Sequence, residues 1–292
     1  MKIKINAPAK INLYLDVLWR LDDGFHNIQS IMQTVSLSDQ ITITAERSSD
    51  TKIHVTCTNP DIPQDERNIA WKAADLYLRT FCNEPMSVDV YIEKNIPVCA
   101  GLAGGSTDAA AVLIGLNSLL DERAGMIDLI NCAAKLGSDV PFCLVKGTKI
   151  TQKRGENMHS VPPMPDCLIL ICSSQESVST AWAYGELDRI HNDFSDRRQM
   201  RDGIQSMITG LKEQSLTGVT DNMYNIFEEA VLPLCPKAAK NRELLLEYGA
   251  VNAMMSGSGS AVFGIFTDRA CAEAAKARLE GPDRKVFLCR PQ

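Results

Sequence analysis

The sequence predicts an α+β protein of two lobes, and three observations favour that class. Several short segments alternate polar with apolar residues and are rich in Ile, Val and Thr, as strands are. Other segments place apolar residues at helical spacing. The chain has 292 residues, which is long for one domain, and a proline-rich break lies at residues 161–165 (VPPMP). We therefore expect one lobe over residues 1–155 and another over residues 156–292.

The polar–apolar alternation and the helical spacing of apolar residues predict the elements in chain order. Residues 40–46 (QITITAE), 52–58 (KIHVTCT) and 86–93 (MSVDVYIE) alternate, so each is predicted to be a strand. Residues 68–81 carry an apolar helical stripe, and residues 147–151 resemble a strand again. In the second half we predict strands at 166–172, 251–255 and 261–266, and helices at about 179–191, 197–209, 222–230 and 236–247. This mixture indicates an α+β arrangement in both lobes.

The composition is that of an ordinary globular protein, and the charge narrows the classes of partner. Hydrophobic residues make up 45% of the chain, charged residues 23%, and the formal net charge is −6. Nucleic-acid binding needs a basic surface, so it is not expected. No apolar run is long enough to cross a bilayer, and the start (MKIKINAPAK) lacks the apolar core of a secretory signal. We expect a cytoplasmic protein with no membrane partner and with its ten cysteines reduced. The sequence predicts no particular oligomeric state.

The most informative stretch is glycine-rich and covers residues 97–111 (PVCAGLAGGSTDAAA). Residues 106–108 (STD) favour a helix N-terminus, so the three glycines within residues 101–105 are expected to precede the helix. Glycines let the backbone approach an anion closely, and the free N–H groups of a helix start then point at it. The pattern is neither a Walker A motif nor G-x-G-x-x-G, and the alternative is a turn that only packs a helix against a sheet. We predict a phosphate-binding loop formed by Pro97, Val98, Cys99, Ala100, Gly101, Leu102, Ala103, Gly104, Gly105, Ser106 and Thr107.

Two further segments place this loop in a known pattern. Residues 8–13 (PAKINL) and 255–260 (MSGSGS) resemble the first and third motifs of the GHMP kinase superfamily, and residues 97–107 resemble its nucleotide loop. The three motifs span almost the whole chain. The resemblance implies the two-lobed GHMP kinase fold, with a ribosomal S5 domain 2-like N-terminal lobe and a ferredoxin-like C-terminal lobe. It also implies ATP as the phosphoryl donor.

Finer motifs resemble one branch of the superfamily, the diphosphocytidyl-methylerythritol kinases. They are residues 23–26 (DGFH), 137–142 (GSDVPF), 154–156 (RGE) and 177–181 (SVSTA). This resemblance implies transfer of the γ-phosphoryl group of ATP, with Mg²⁺, to the 2-hydroxyl of a methylerythritol unit that carries a cytidine diphosphate group. The chain departs from the pattern at Cys99 and Ala103, where glycine is common, and at Ser260, where proline is common.

The resemblance also implies roles for three polar residues. Asp139 matches the general base, which accepts the hydroxyl proton as the new O–P bond forms. Lys10 matches the second catalytic residue, whose charge keeps Asp139 ionised and offsets developing negative charge. Asn12 is expected to hydrogen-bond the substrate hydroxyls, with a turn role as the alternative. The sequence shows no strong metal constellation, so the protein ligands of magnesium stay unassigned.

The cytidine diphosphate group implies an aromatic site. Phe25 and His26 match the element that meets the cytosine base, and Tyr184 aligns with an aromatic on the other side of the base. The alternative is that Phe25 and Tyr184 are core aromatics and that His26 caps a turn. Two other functions stay open, namely another GHMP small-molecule kinase, for homoserine or mevalonate, and a non-catalytic nucleotide-binding regulator. The first would lack the DGFH and GSDVPF motifs, and the second would have lost Lys10 or Asp139.

Overall fold

The structure is a computed structural model that describes residues 1–121, 123–153, 155, 157–174, 176–194 and 202–292. Cα proximity groups the chain into two units that interleave along the sequence. The first unit comprises Met1–Ala9, Ser38–Val98 and Ala103–Val145. The second unit comprises Lys10–Leu37, Cys99–Leu102 and Lys146–Gln292. The division into consecutive lobes, 1–155 and 156–292, stays a prediction.

Two long strands, β1 (Lys2–Arg20) and β2 (His26–Arg47), contribute residues to both units. Residues 7–18 of β1 are all buried. A strand that is covered on both faces loses the alternation of polar and apolar residues that marks a half-buried strand. For this reason the alternating pattern detected only the last part of β2, residues 40–46.

In its described residues, the first unit combines the ends of these strands with two shorter strands and four helices. They are β3 (Lys52–Cys57), β4 (Met86–Glu93), α1 (Ile69–Phe81), α2 (Gly104–Leu119), α3 (Met126–Leu136) and α4 (Val140–Val145). β4 pairs antiparallel with residues 40–47 of β2 and parallel with β3. The Asn68 side chain caps α1 by accepting a hydrogen bond from the Ala70 N–H at 2.9 Å. α1 packs against α2, the helix that follows the glycine-rich segment.

The second unit holds the other described elements. Its strands are β5 (Thr148–Lys153), β6 (Asn157–Ser160), β7 (Leu168–Ser174), β8 (Tyr224–Asn225), β9 (Asn252–Met255), β10 (Val262–Phe266) and β11 (Arg284–Cys289). Its helices are α5 (Thr180–Ile190), α6 (Gly203–Lys212), α7 (Leu216–Thr220), α8 (Phe227–Val231), α9 (Pro236–Glu247) and α10 (Arg269–Leu279). One sheet has the antiparallel order β11-β7-β10-β9. β8 pairs parallel with β1, and β5 pairs antiparallel with residues 28–33 of β2.

The mixed α+β class is confirmed, since both units combine sheets with helices. β4 and α9 have the predicted bounds. The single helix predicted over residues 222–230 is wrong, because Tyr224 and Asn225 pair with Tyr14 and Leu15 of β1 before α8 begins. The helix predicted over residues 197–209 starts at Gly203 in the described part of the chain, and residues 197–201 lie outside it.

Two further expectations concern membrane-spanning helices and the redox state of the cysteines. Among the residues that the structure describes, no helix is both long and apolar enough to span a bilayer. All ten cysteines are free thiols, as predicted. Burial raises the pKa of the Cys172 thiol in β7 to about 12, so this thiol is an unreactive core residue.

Candidate active site

Strand β1 places Lys10 and Asn12 on the same side of the sheet, because side chains two residues apart share a face. Both residues are buried, at 4% and 1% exposure. The Lys10 ammonium donates to Asn12 Oδ1 at 2.7 Å and to the Gly101 carbonyl at 3.1 Å. The strand therefore places the Lys10 ammonium, with fixed hydrogen-bond partners, beside residues 99–102 of the glycine-rich loop.

The Asn12 amide is itself held in one orientation. Its Nδ2 donates to Ser30 Oγ at 2.8 Å, and Ser30 Oγ donates to the Tyr14 carbonyl at 2.6 Å. Lysine can only donate, so Oδ1 must face Lys10 and Nδ2 must face Ser30. The Asn12 side chain is hydrogen-bonded to Lys10 and Ser30, and its predicted contact with substrate hydroxyls stays a prediction.

Residues 99–102 of the loop lie against the C-terminal glycine motif within the second unit. Gly101 adopts φ +77°, and a Cβ added there would lie 2.0 Å from the Ser256 carbonyl oxygen. Ser256 Oγ donates to the Gly101 carbonyl at 3.0 Å, and the Ala261 N–H donates to the Ala100 carbonyl at 3.1 Å. Only glycine meets both the backbone angle and the close approach at this position.

The C-terminal motif is fixed from behind by side chains of the same unit. Asn225 Nδ2 donates to the carbonyls of Met255 and Gly257, each at 2.8 Å. Glu228 Oε1 accepts from the Met255 N–H at 2.8 Å. The motif thus has a defined backbone before any ligand binds.

Helix α2 begins earlier than the sequence predicted. Its first residue is Gly104, so Gly104 and Gly105 belong to the first turn and do not precede the helix. Ala103 is the N-cap residue, at φ +57°, and it has no side chain that caps the helix. The prediction failed because it placed the start at residues 106–108, which carry the usual capping side chains. A helix start without a side-chain cap leaves N–H groups for an anion, which fits the phosphates of a nucleotide.

Two other loop features bear on the predicted contacts. The Thr107 hydroxyl donates to the Pro8 carbonyl at 2.8 Å in the first unit, so it ties α2 to the start of β1. Cys99 and Ala103 both have positive φ, of +53° and +57°. These are two of the positions where the superfamily pattern commonly has glycine, and the left-handed backbone conformation gives the physical reason.

Asp139 lies in the first unit, in the turn between α3 and α4. The turn begins at Gly137, whose carbonyl accepts from the Val140 N–H at 3.2 Å. The Asp139 carbonyl accepts from the Cys143 N–H at 3.1 Å, which starts α4. These hydrogen bonds hold the backbone around Asp139 in place. The residue itself is half-buried and therefore partly open to solvent.

His26, at the start of β2, has a firmly held ring in the second unit. Its Nε2 lies 2.6 Å from Asp188 Oδ1, and Arg20 Nη1 lies 4.0 Å from Asp188 Oδ2. The Tyr184 ring stacks on the His26 ring with centroids 4.8 Å apart. This is an ordinary distance for two rings in contact, so a base does not fit between them. No base therefore lies between His26 and Tyr184, and the predicted contact of Tyr184 with the cytosine base stays a prediction. Phe25 is 55% exposed.

Sequence reasoning missed three residues that hold these groups in place. Ser30 orients Asn12, and Asp188 orients His26. Lys94 forms a buried ion cluster beside the start of α2. None of them belongs to a motif, so no local pattern could have identified them.

Comparison with known proteins identifies the class. Family models match residues 68–147 as the GHMP kinases N terminal domain and residues 207–283 as the GHMP kinases C terminal domain. The chain belongs to the GHMP kinase family, and the predicted fold is confirmed. It is 39% identical over 292 residues to a Gloeobacter violaceus protein named 4-diphosphocytidyl-2-C-methyl-D-erythritol kinase, covering 99% of this chain and 94% of that protein.

Solved structures agree with this placement. A crystal structure of 4-(cytidine 5'-diphospho)-2C-methyl-D-erythritol kinase matches with a TM-score of 0.80 and 28% identity, covering 99% of each chain. A mevalonate kinase of L. major in complex with R-mevalonate matches with a TM-score of 0.78 and 13% identity, covering 99% of this chain and 96% of that one. The second likeness shows the fold alone, since the same fold serves several acceptor alcohols.

Proposed function

We propose that this protein transfers the γ-phosphoryl group of ATP to the 2-hydroxyl of 4-diphosphocytidyl-2-C-methyl-D-erythritol, giving the 2-phosphate and ADP. The reaction is a step of non-mevalonate isoprenoid precursor biosynthesis. The observation that carries the proposal is the 39% identity, over 99% of the chain, to a kinase named for this acceptor. The DGFH and GSDVPF motifs, which sister kinases are expected to lack, support the same acceptor.

The triphosphate of ATP binds at the start of α2 in this proposal. Gly104 and Gly105 have no side chain to block an anion, and the N–H groups of the first turn carry the positive end of the helix dipole. Magnesium bound to ATP would neutralise phosphate charge during transfer. Among the described residues, no group of three or more His, Cys, Asp and Glu side chains could hold a metal ion, so we assign no protein ligands to Mg²⁺.

Asp139 and Lys10 perform the chemistry. The transition state of phosphoryl transfer is loose, so the acceptor hydroxyl keeps its proton until late. Asp139 orients that hydroxyl and accepts its proton as the O–P bond forms. Lys10 stabilises the negative charge that develops on the reacting oxygens, and its bonds to Asn12 Oδ1 and the Gly101 carbonyl fix where that charge lies. The crowded acceptor carbon makes such positioning a large part of the catalysis.

The cytidine diphosphate group of the acceptor is recognised near the start of β2. Phe25 offers an exposed ring on which a base can stack, and His26 offers a polar ring edge whose orientation Asp188 fixes. Tyr184 stacks on the His26 ring and is the second aromatic that we propose to contact the base. Ten free cysteines fit a reducing compartment, and we extend the proposal to a cytoplasmic location.

A coupled ADP-release assay across a small panel of acceptors tests the proposal. The panel contains 4-diphosphocytidyl-2-C-methyl-D-erythritol, homoserine and mevalonate, each with ATP and Mg²⁺. We expect turnover with the first acceptor alone, and ³¹P NMR should place the new phosphate on the 2-position. Turnover with homoserine or mevalonate would favour a sister kinase, and no turnover with any acceptor would favour a nucleotide-binding regulator.

A further inference from the structure

A buried ion cluster joins the two ends of the glycine-rich loop within the first unit. The Lys94 ammonium, one residue beyond β4, donates to Asp39 Oδ2 at 2.5 Å and to Asp108 Oδ2 at 2.6 Å. Asp39 lies in β2 and Asp108 in α2. The side chains of the three residues are 4%, 0% and 5% exposed. Lys94 directly follows β4, the strand that leads into the loop, and it is bonded to α2, the helix that follows the loop.

The second oxygen of Asp39 fixes the backbone just before the loop. Asp39 Oδ1 accepts from the N–H groups of Asn95 and Ile96, at 2.6 and 2.8 Å. The Lys94 N–H also donates to Thr58 Oγ1 at 2.9 Å. The backbone N–H groups of three consecutive residues ahead of Pro97 are thus held in place, because one carboxylate and one hydroxyl accept their hydrogen bonds.

The cluster also lies against the first residue of α2. A Cβ added at Gly104 would lie 3.0 Å from Lys94 Nζ and 3.1 Å from Ile96 Cγ2. Gly104 therefore lets the start of the helix approach both the ammonium and the chain that precedes the loop. This helix start is where the phosphates bind in the proposed function.

Stability alone is a weak reason to bury such a cluster. Replacing a buried ion pair by apolar side chains is often neutral or stabilising, because desolvation costs offset the attraction. Here the cost is larger still, since Asp108 Oδ1 is buried and has no hydrogen-bond partner among the described residues. A role in fixing geometry explains why charges occupy this position.

We propose that Lys94 is a positioning residue of the kinase, which pairs with Asp39 and Asp108 to set the spacing between the two ends of the nucleotide loop. The proposal rests on the proposed function, because it requires ATP to bind at this loop. Lys94 acts through the cluster and not as a direct phosphate ligand, since its ammonium is buried between the carboxyl groups of Asp39 and Asp108. A misplacement of about 1 Å in the reacting groups costs up to ~10²-fold in rate.

The test is a double-variant cycle with Asp39→Asn, Lys94→Met and the two changes together. Each protein is assayed for the ATP KM, for kcat with the full acceptor and for its thermal midpoint. Asn at position 39 keeps an acceptor for the Asn95 and Ile96 N–H groups but turns an amide towards Lys94. We expect each single variant to raise the ATP KM about tenfold, and the double variant to raise it by the same factor and not by the product.

Val88→Ala is the matched control, because it truncates a fully buried side chain in β4 without touching the cluster. It should lower the thermal midpoint and leave the ATP KM unchanged. If Lys94→Met fails to fold, the double variant still tests the proposal, since it also removes the unpaired Asp39 charge. A normal ATP KM in every folded variant would make the cluster a stabilising contact only and overturn the proposal.

Two further results separate this proposal from the proposed function. A raised ATP KM for Lys94→Met beside a normal one for Asp39→Asn would mean that Lys94 contacts the nucleotide directly, and it would overturn the positioning role alone. A wild-type protein that neither binds ATP nor releases ADP would overturn the proposed function, and the positioning role with it.

Discussion

The Lys10 ammonium lies 2.7 Å from Asn12 Oδ1, and both side chains are buried on the same face of β1. The chain of hydrogen bonds continues from the Asn12 amide to the Ser30 hydroxyl and from that hydroxyl to the Tyr14 carbonyl. Lys10, the proposed catalytic lysine, has a long flexible stem, and its ammonium is held by Asn12 Oδ1 and the Gly101 carbonyl. In the proposed function, precision at the reacting oxygen therefore also depends on Ser30, which orients Asn12.

Ser30→Ala tests that chain. The change removes the acceptor of Asn12 Nδ2, so the amide is free to rotate and Lys10 loses a fixed partner. We expect kcat to fall about tenfold with an unchanged ATP KM, because the loss affects positioning for the chemical step. Ser30→Thr keeps the hydroxyl and should restore kcat. An equal kcat in the wild type and in Ser30→Ala would show that Lys10 needs no such support.

Asp139→Asn tests the general base. The variant keeps the size and shape of the side chain but cannot accept the hydroxyl proton. We expect kcat to fall by about 10²–10⁴-fold while the affinity for ATP, measured by calorimetry, stays within twofold of wild type, roughly the scatter of such measurements. Ser138→Ala, at the exposed neighbouring position, is the control and should behave as wild type. Near-normal kcat in Asp139→Asn would remove this carboxylate from the mechanism.

Gly101→Ala tests the packing of the loop on the C-terminal motif. The new Cβ would lie 2.0 Å from the Ser256 carbonyl oxygen, so residues 99–102 would have to move. Gly147→Ala is a matched control, because Gly147 has the same φ of +77° and its nearest neighbour is Lys149 Nζ at 3.9 Å. Both variants should lose about 1–2 kcal/mol from left-handed strain. Only Gly101→Ala should also lose ATP affinity in calorimetry. Equal affinities in the two variants would show that the packing of residues 99–102 on the C-terminal motif does not affect nucleotide binding.

Asp108 should make stability depend on pH in a recognisable direction. Burial raises the pKa of its carboxyl well above the ordinary value of 3.8, although the nearby Lys94 opposes the shift and Asp39 adds to it. The folded protein then keeps a proton that the unfolded chain releases. The contribution of Asp108 to the free energy of unfolding therefore falls as pH rises above 3.8 towards the folded-state pKa, and is constant beyond it.

Asp108→Asn isolates this effect because an amide does not titrate. We expect the difference in unfolding free energy, wild type minus variant, to fall with rising pH when both are measured by urea unfolding. Carboxyl groups outside the cluster, such as Glu228, are present in both proteins and their contributions cancel. A difference that stays flat, or that rises with pH, would show that Asp108 is ionised in the folded state across the range.

The sequence predicted elements well wherever a regular period survives. β4 and α9 have the predicted bounds because the alternation in one and the helical spacing in the other are uninterrupted. β1 shows no such alternation, because residues 7–18 are buried on both faces of the strand. The start of α2 was misplaced because Ala103 in the left-handed region begins the helix, and capping rules look for Ser, Thr or Asp.

The candidate site was predictable to the extent that it consists of motifs. Residues 8–13, 97–107 and 137–142 gave Lys10, the loop and Asp139 as candidates through resemblance. Lys94 and its partners gave no such signal, since Asp39 lies 55 residues away and Asp108 lies 14 residues away in sequence. The sequence could not give the direct stacking of Tyr184 on His26, because it identifies rings but not their mutual distance. The contact of these residues with the base stays a prediction.

The most direct test of the central claim compares two acceptors in the wild-type protein. One is 4-diphosphocytidyl-2-C-methyl-D-erythritol, and the other is free methylerythritol without the cytidine diphosphate group. Binding energy from a remote part of a substrate is used to position the reacting end, so its loss lowers kcat as well as affinity. We predict a kcat/KM at least about 10²-fold lower for free methylerythritol, with a lower kcat. Equal kcat/KM values for the two acceptors would contradict the account.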